Sequence, residues 1–223
     1  MAKAWQKILW GLTIVAVSVF IGFSFWTWQG AKIQLAKEEE RPLEGLKVFG
    51  IVPDFSLVER SGRKVSLLDL KGKVWVTQFF YTGCRDICPL IVPQMGLLHL
   101  DYLNDPEFRS AVRFVSITVD PEHDTPPVLT NFAERFSADP ELWLFLTGDK
   151  ATIYRLAQQG FKLGIGEQEN PPELKQKGGE REIFHSSRLV LVDRKAQIKG
   201  YYSGIDAEAM VRLRRDLRTL LQK

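Results

Sequence analysis

Residues 74–89 read "VWVTQFFYTGCRDICP", and the fold turns on how this stretch divides. The first half, "VWVTQFFY" (74–81), is apolar, β-branched and aromatic and lies between Gly72 and Gly83, the mark of a strand buried on both faces. The second half holds Cys84 and Cys88, the only two cysteines among 223 residues. Two thiols with three residues between them, directly after a core strand, are a structural disulfide, a redox couple or two ligands of one metal.

Outward from this stretch the pattern alternates. Upstream, "PDFSLVERSGRKVSLLDLKGK" (53–73) predicts short strands around a Ser-Gly turn and then a helical turn at Leu67–Leu70. Downstream, "PLIVPQMGLLHLDYL" (89–103) predicts a helix, with Pro89 suited to its first turn and Pro93 placed to bend or delay it. "VRFVSITVD" (112–120) is a second buried strand. The helix in "DTPPVLTNFAERF" has Asp124 or Thr125 as cap and Val128, Leu129, Phe132 and Phe136 on one face. "LWLFLTG" (142–148) is a third strand, and "DKATIYRLAQQ" (149–159) a helix capped by Asp149. After a long polar insertion (164–182), "SRLVLVD" (187–193) and "QIKGYYSG" (197–204) form a hairpin. A last helix places Met210, Leu213, Leu217 and Leu220 on one face. Strand, helix, strand, helix, strand, helix, hairpin, helix is an α/β arrangement of thioredoxin type, a central mixed sheet flanked by helices. That fold carries its reactive dithiol after the first core strand.

The chain before this domain has a different character. From Ile8 to Ala31 there is no charged residue, and 24 residues of helix would reach about 36 Å, enough for a hydrocarbon core of about 30 Å. Trp5, Trp10, Trp26 and Trp28 lie towards its two ends, where indoles favour the interface. No small-x-small cleavage site follows, and no cysteine that would take a lipid, so residues 8–31 are read as an uncleaved transmembrane anchor rather than a signal peptide or a core helix. Lys3 and Lys7 precede it and Lys32, Lys37 and Arg41 follow, so basic residues alone do not orient it. Residues 1–7 are read as a short cytoplasmic tail, which puts the domain outside. The tail leaves no room for an Arg- and Ser-rich presequence, favouring a bacterial inner membrane with a periplasmic domain. Residues 32–50 read as a polar tether and 51–223 as the domain. Without the two lysines of residues 1–31, 28 basic side chains face 27 acidic ones, a balance that gives no reason to expect nucleic acid. An extracytoplasmic domain of this size needs no disulfide staples, so the close pair has a task.

The spacing bears on that task. Side chains at i and i+4 of a helix have Cβ atoms about 5–6 Å apart, whereas a disulfide needs about 3.8 Å. Two thiolates at about 2.3 Å from one trigonal metal tolerate sulfurs roughly 4 Å apart. A shared metal is therefore accommodated directly, and a disulfide only if Cys84 lies in the loop, which Gly83 permits. A helix N-terminus would lower both thiol pKa values. Two sulfurs satisfy few metals, so a third ligand is sought among three histidines. His99, inside an apolar helix, and His123, in a loop beside a helix cap, read as structural or solvated. His185 precedes a strand expected to run antiparallel to the one ending at Tyr81, which puts it at the edge of Cys84. Two thiolates and an imidazole suit Cu(I), and with an added water or carboxylate Cu(II). A structural zinc would want a fourth protein ligand.

The blocks "FFYTGCRDICP", "VSITVDPEHDTPPVLTNFAERF" and "FHSSRLVLVDRKAQIKGYYSG" resemble the signatures of the Sco/SenC family, over roughly residues 45–221. Members are membrane-anchored, thioredoxin-like copper proteins that help to assemble cytochrome c oxidase. The resemblance implies copper ligation by Cys84, Cys88 and His185, with Asp86 beside the site or in contact with a partner. Two features depart from the pattern: Arg85 stands where proline is common, and the 164–182 insertion is unusually polar.

Two functions follow as expectations. One is a copper metallochaperone that delivers Cu(I) or Cu(II) to the binuclear copper centre of cytochrome c oxidase subunit II. The other is a membrane-anchored thiol–disulfide oxidoreductase that uses Cys84 and Cys88 as a redox-active dithiol and keeps the client's cysteines reduced. A peroxiredoxin-like peroxidase does not fit, because P-x-x-x-T-x-x-C requires Pro and Thr where Thr77 and Tyr81 precede Cys84, and where Tyr81 and Arg85 precede Cys88. A merely structural disulfide leaves His185 unexplained.

Overall fold

The computed structural model describes residues 10, 17–27, 43–168 and 182–222. Seven consecutive buried side chains make Val74–Phe80 (β4) the centre of an eight-stranded sheet. To one side β5 (Val112–Thr118) and then β6 (Trp143–Thr147) run parallel to it, Val74 beside Val112 and Phe114 beside Trp143. Beyond β6 lie β2 (Ser56–Glu59) and β3 (Lys64–Ser66), antiparallel additions formed by the predicted Ser-Gly hairpin. On the other side β9 (Arg188–Val192) pairs antiparallel with β4, Thr77 opposite Val190, followed by β10 (Gln197–Ser203) and β1 (Gly50–Ile51). The order is β1-β10-β9-β4-β5-β6-β2-β3, a mixed sheet of the expected thioredoxin type.

Alternation along the strands divides the core in two, as side chains of period two must. Val76, Phe80, Phe114 and Phe145 face helices α2 (Cys88–Leu103), α3 (Pro126–Glu134) and α5 (Ala207–Leu221). Trp75, Phe79, Val115 and Ile117 face α1 (Leu67–Leu70), α4 (Lys150–Arg155) and the π turn that continues α4 to Gly160. Asp149 caps α4 as expected, accepting from the Thr152 amide at 2.8 Å. Pro93 does not delay α2, which begins at Cys88 with Pro89 in its first turn.

Two features differ from the sequence reading. Residues 43–50, read as the end of a tether, belong to the compact unit Leu43–Lys223. The amides of Tyr201 and Phe49 link them to β10 through Leu43 O and Ile198 O, and Glu44 pairs with Arg212 of α5. The polar insertion is structured at its ends: β7 (Ile165–Gln168) and β8 (Glu182–His185) form a two-stranded antiparallel sheet. Ile165 and Ile183 explain this, since both are buried in the second core. Residues 169–181 lie outside the described residues. Of the two expected caps of α3, Thr125 holds the N-cap position, without a side-chain bond, while Asp124 turns inward.

Half of the proposed anchor, residues 8–31, falls outside the described residues. Residues 17–27 are helical with exposed apolar side chains. No helix among the described residues is long and apolar enough to cross a membrane.

Candidate metal centre

Three elements end at one edge of the sheet. β4 stops at Phe80 and the chain turns through Tyr81–Ile87, with the Cys84 amide bonded to Tyr81 O at 3.2 Å. None of these loop residues has a positive φ, so the turn does not call on the conformational freedom of Gly83. Cys84 therefore sits in the loop and Cys88 is the first residue of α2, whose amide donates to Cys84 Sγ at 3.4 Å. The third element is β8, which delivers His185 as its last residue, opposite Ile165 of β7.

Cys84 Sγ, Cys88 Sγ and an imidazole nitrogen of His185 all lie within 4.8 Å of one another. His185 Nε2 stands 3.6 Å from Cys84 Sγ and 3.1 Å from Cys88 Sγ. Sulfur and nitrogen donors at about 2.3 and 2.05 Å from a trigonal metal are separated by roughly 3.8 Å, so the Cys84 pair is already near that spacing. The Cys88 pair must open by somewhat more than half an ångström, roughly, to match it. The other ring nitrogen selects the tautomer. Nδ1 lies 3.2 Å from Ser186 O, so in the neutral ring it donates to that carbonyl and leaves the Nε2 lone pair facing the sulfurs. The ring rests edge-on against Tyr81, centroids 5.7 Å apart.

The two thiols are unequal. The hydrogen bond from the Cys88 thiol, helped by the main-chain amides of Cys88 and Asp86, brings the Cys84 thiol down to about 3 against the cost of its burial. The same shared bond, with burial, pushes the Cys88 thiol well up. Cys84 is half-buried and Cys88 buried, and no disulfide joins them. The pair thus holds one thiolate at the surface, with a protonated partner behind it.

Of the other sequence candidates, His99 is wholly buried, accepts from the Asp139 amide at 3.2 Å and packs on Trp143, a core residue as expected. His123 is exposed and bonded to Asp120. Arg85 and Asp86 are exposed, and Asp86 bears on the centre through its main-chain bond to the Cys84 sulfur. Sequence reasoning missed Ile165, which has no motif but pairs with His185. It also missed the role of the buried Asp124, one of two cap candidates, whose carboxylate accepts from Thr82 in the loop that carries Cys84.

Fold and site together define a thioredoxin-like protein whose dithiol is completed by a histidine into a soft three-donor set. The chain belongs to the SCO1/SenC family, whose model matches residues 46–222. It is 32% identical over 156 residues to the SCO1 protein homolog of Bacillus subtilis, covering 70% of this chain and 75% of that one. It also resembles the solved structure of BsSco, a member of the Sco family of cytochrome c oxidase assembly proteins in which a disulfide switch was identified. That match has a TM-score of 0.63 and 28% identity over 79% of this chain and 96% of the other. The structure of Bradyrhizobium japonicum ScoI with copper bound matches with a TM-score of 0.58 and 26% identity, over 77% and 99% of the two chains.

Proposed function

We propose that the protein is a copper metallochaperone that takes copper as cargo on Cys84, Cys88 and His185. It would pass the metal to the binuclear copper centre of cytochrome c oxidase subunit II. The observation that supports this most is the convergence of two sulfurs and one tautomer-selected imidazole nitrogen from sequence positions about a hundred residues apart. A redox dithiol alone has no need of that nitrogen. Cys84 and Cys88 supply the soft donors that retain Cu(I), and His185 adds the borderline donor that lets the same set hold Cu(II). Transfer would go by ligand exchange, the client's thiolates and imidazole replacing these donors one at a time. The half-buried Cys84 is the first ligand a client can reach. Residues 8–31 would anchor the protein in the bacterial inner membrane, with the domain on the periplasmic side beside its membrane-bound client, raising the effective concentration. The test is transfer: protein loaded with one copper is mixed with the apo copper domain of subunit II. Appearance of the binuclear copper spectrum in the client is expected. Retention of copper by the donor, with a client that accepts free copper, would count against the chaperone role.

The inequality of the thiols favours a second reading, a reductant of the same client. The Cys84 thiolate would attack a client disulfide, forming a mixed disulfide and releasing one client thiolate. Cys88 would then lose its proton and attack Cys84 Sγ, releasing the second client sulfur. Two electrons reach the client, and Cys84–Cys88 is left as the disulfide. The two roles are compatible in one protein, and His185→Ala separates them, since only copper binding needs the imidazole.

A further inference from the structure

The loop that carries Cys84, between β4 and α2, is bonded to one buried side chain, Asp124. Asp124, 1% exposed, lies after β5, where its amide donates to Asp120 O at 2.9 Å in a turn that ends at α3. Its carboxylate receives three donors. The Thr82 amide donates to Oδ2 at 3.0 Å, the Thr82 hydroxyl donates to Oδ1, and the Thr118 hydroxyl, at the end of β5, donates to Oδ2. Thr118 is itself fully buried, and its oxygen also accepts the Asp120 amide at 3.0 Å. Both polar groups of Thr82 that can donate are thus committed to one carboxylate, two residues before Cys84. A buried carboxylate is costly unless its oxygens are satisfied, and here three donors meet it. Burial pushes the Asp124 carboxyl up, while Thr118 and Thr82 oppose that.

We propose that Asp124 is a positioning residue of the metal centre: it ties Thr82, and so the loop bearing Cys84, to the end of β5, fixing the Cys84 sulfur opposite Cys88 and His185. Asp124 acts through Thr82 and not as a ligand. Released from Asp124, the loop leaves Cys84 free to move away, which lowers the effective concentration of one thiol at the other. The proposal rests on the dithiol geometry, and copper binding is an added consequence of it.

The test uses the full-length reduced protein in detergent, with Asp124→Ala, Asp124→Asn, Thr82→Val and Thr82→Ser. Asn fills the same volume and can still accept at one oxygen while its amide donates to the Thr82 hydroxyl oxygen. Ser retains both bonds of Thr82. Two readouts are taken: the dithiol–disulfide equilibrium against a glutathione or dithiothreitol couple, without copper, and the thiolate-to-Cu(II) band after addition of one copper. Asp124→Ala and Thr82→Val are expected to disfavour the disulfide about tenfold, which is about 30 mV for a two-electron couple, and to shift or weaken the band. Asp124→Asn and Thr82→Ser should stay within about twofold of the parent. Should Asp124→Ala fail to fold, Thr82→Val carries the same prediction with the carboxylate in place. A parental equilibrium and spectrum in Thr82→Val, or in a folded Asp124→Ala, would overturn the proposal. If the parent binds no copper but the equilibrium still shifts in the variants, the positioning role stands and the copper reading falls.

Discussion

Cys84 and Cys88 differ in what surrounds them more than in what they are. Cys84 gains the Cys88 thiol and two main-chain amides as partners and stays half-exposed, whereas Cys88 is buried at the start of α2. In the reduced, metal-free protein a short exposure to iodoacetamide is therefore expected to modify Cys84 at least tenfold more than Cys88, read by peptide mass spectrometry. Equal labelling would remove the asymmetry on which the order of ligand exchange depends. His99 gives a prediction of a different kind. Burial lowers its pKa from the ordinary 6.5, so the folded protein keeps it neutral while the unfolded chain protonates below that value. Its contribution to stability is complete above pH 6.5 and declines as pH falls below it. His99→Gln, whose amide oxygen can still accept from Asp139, should flatten the fall in urea midpoint between pH 6.5 and 5. An unchanged slope would assign that fall to other groups. The meeting of Cys84, Cys88 and His185 was legible in the sequence because soft donors are rare and their spacing restricts geometry. Asp124 was not, because an acid just before a proline-led helix reads as a cap, and only the fold reveals Thr82 and Thr118 beside it.

Element by element, the strands and helices near β4 followed from period and punctuation. Long apolar runs between glycines can be little else. β1, β7 and β8 were not legible, since two to four residues carry too few side chains to set a period and their partners are distant in sequence. The polar composition of 164–182 hid Ile165, which reaches the core together with Ile183 just after the segment. That small sheet has a function in placing His185, which lies outside the eight-stranded sheet and depends on β7 and β8 for its position. Ile183→Ala removes a buried side chain two residues from His185 and is expected to cost about 2–4 kcal/mol of stability, read from the denaturant midpoint. It should also weaken Cu(II) binding, while an equal truncation far from the centre, Leu70→Ala, should lower stability and leave the copper spectrum alone. If both variants leave the spectrum alone, the β7–β8 pair does not position the imidazole.

At the scale of the whole molecule, the domain begins earlier than its hydrophobic pattern indicates. Residues 43–49 carry Glu44, bidentate with Arg212, and Phe49, packed edge-on to Tyr201 with centroids 5.7 Å apart. They also extend the cover of β10 beyond its short pairing with β1, through Leu43 O and the Phe49 amide. A chain starting at residue 51 is expected to melt several degrees below one starting at residue 43, a difference of about 2 kcal/mol or more for a domain of this size. Equal melting temperatures would return these residues to the tether. The proposed anchor predicts that the full-length protein stays with membranes in alkaline carbonate and is released once residues 1–31 are removed. The proposed three-donor copper site is tested by titration of copper into the reduced protein, followed by absorbance and EPR beside His185→Ala. One tightly held copper per chain, with a thiolate-to-Cu(II) charge-transfer band that the variant loses, is the predicted result. No stable copper, with Cys84 and Cys88 cycling freely between dithiol and disulfide, would contradict it and leave an oxidoreductase.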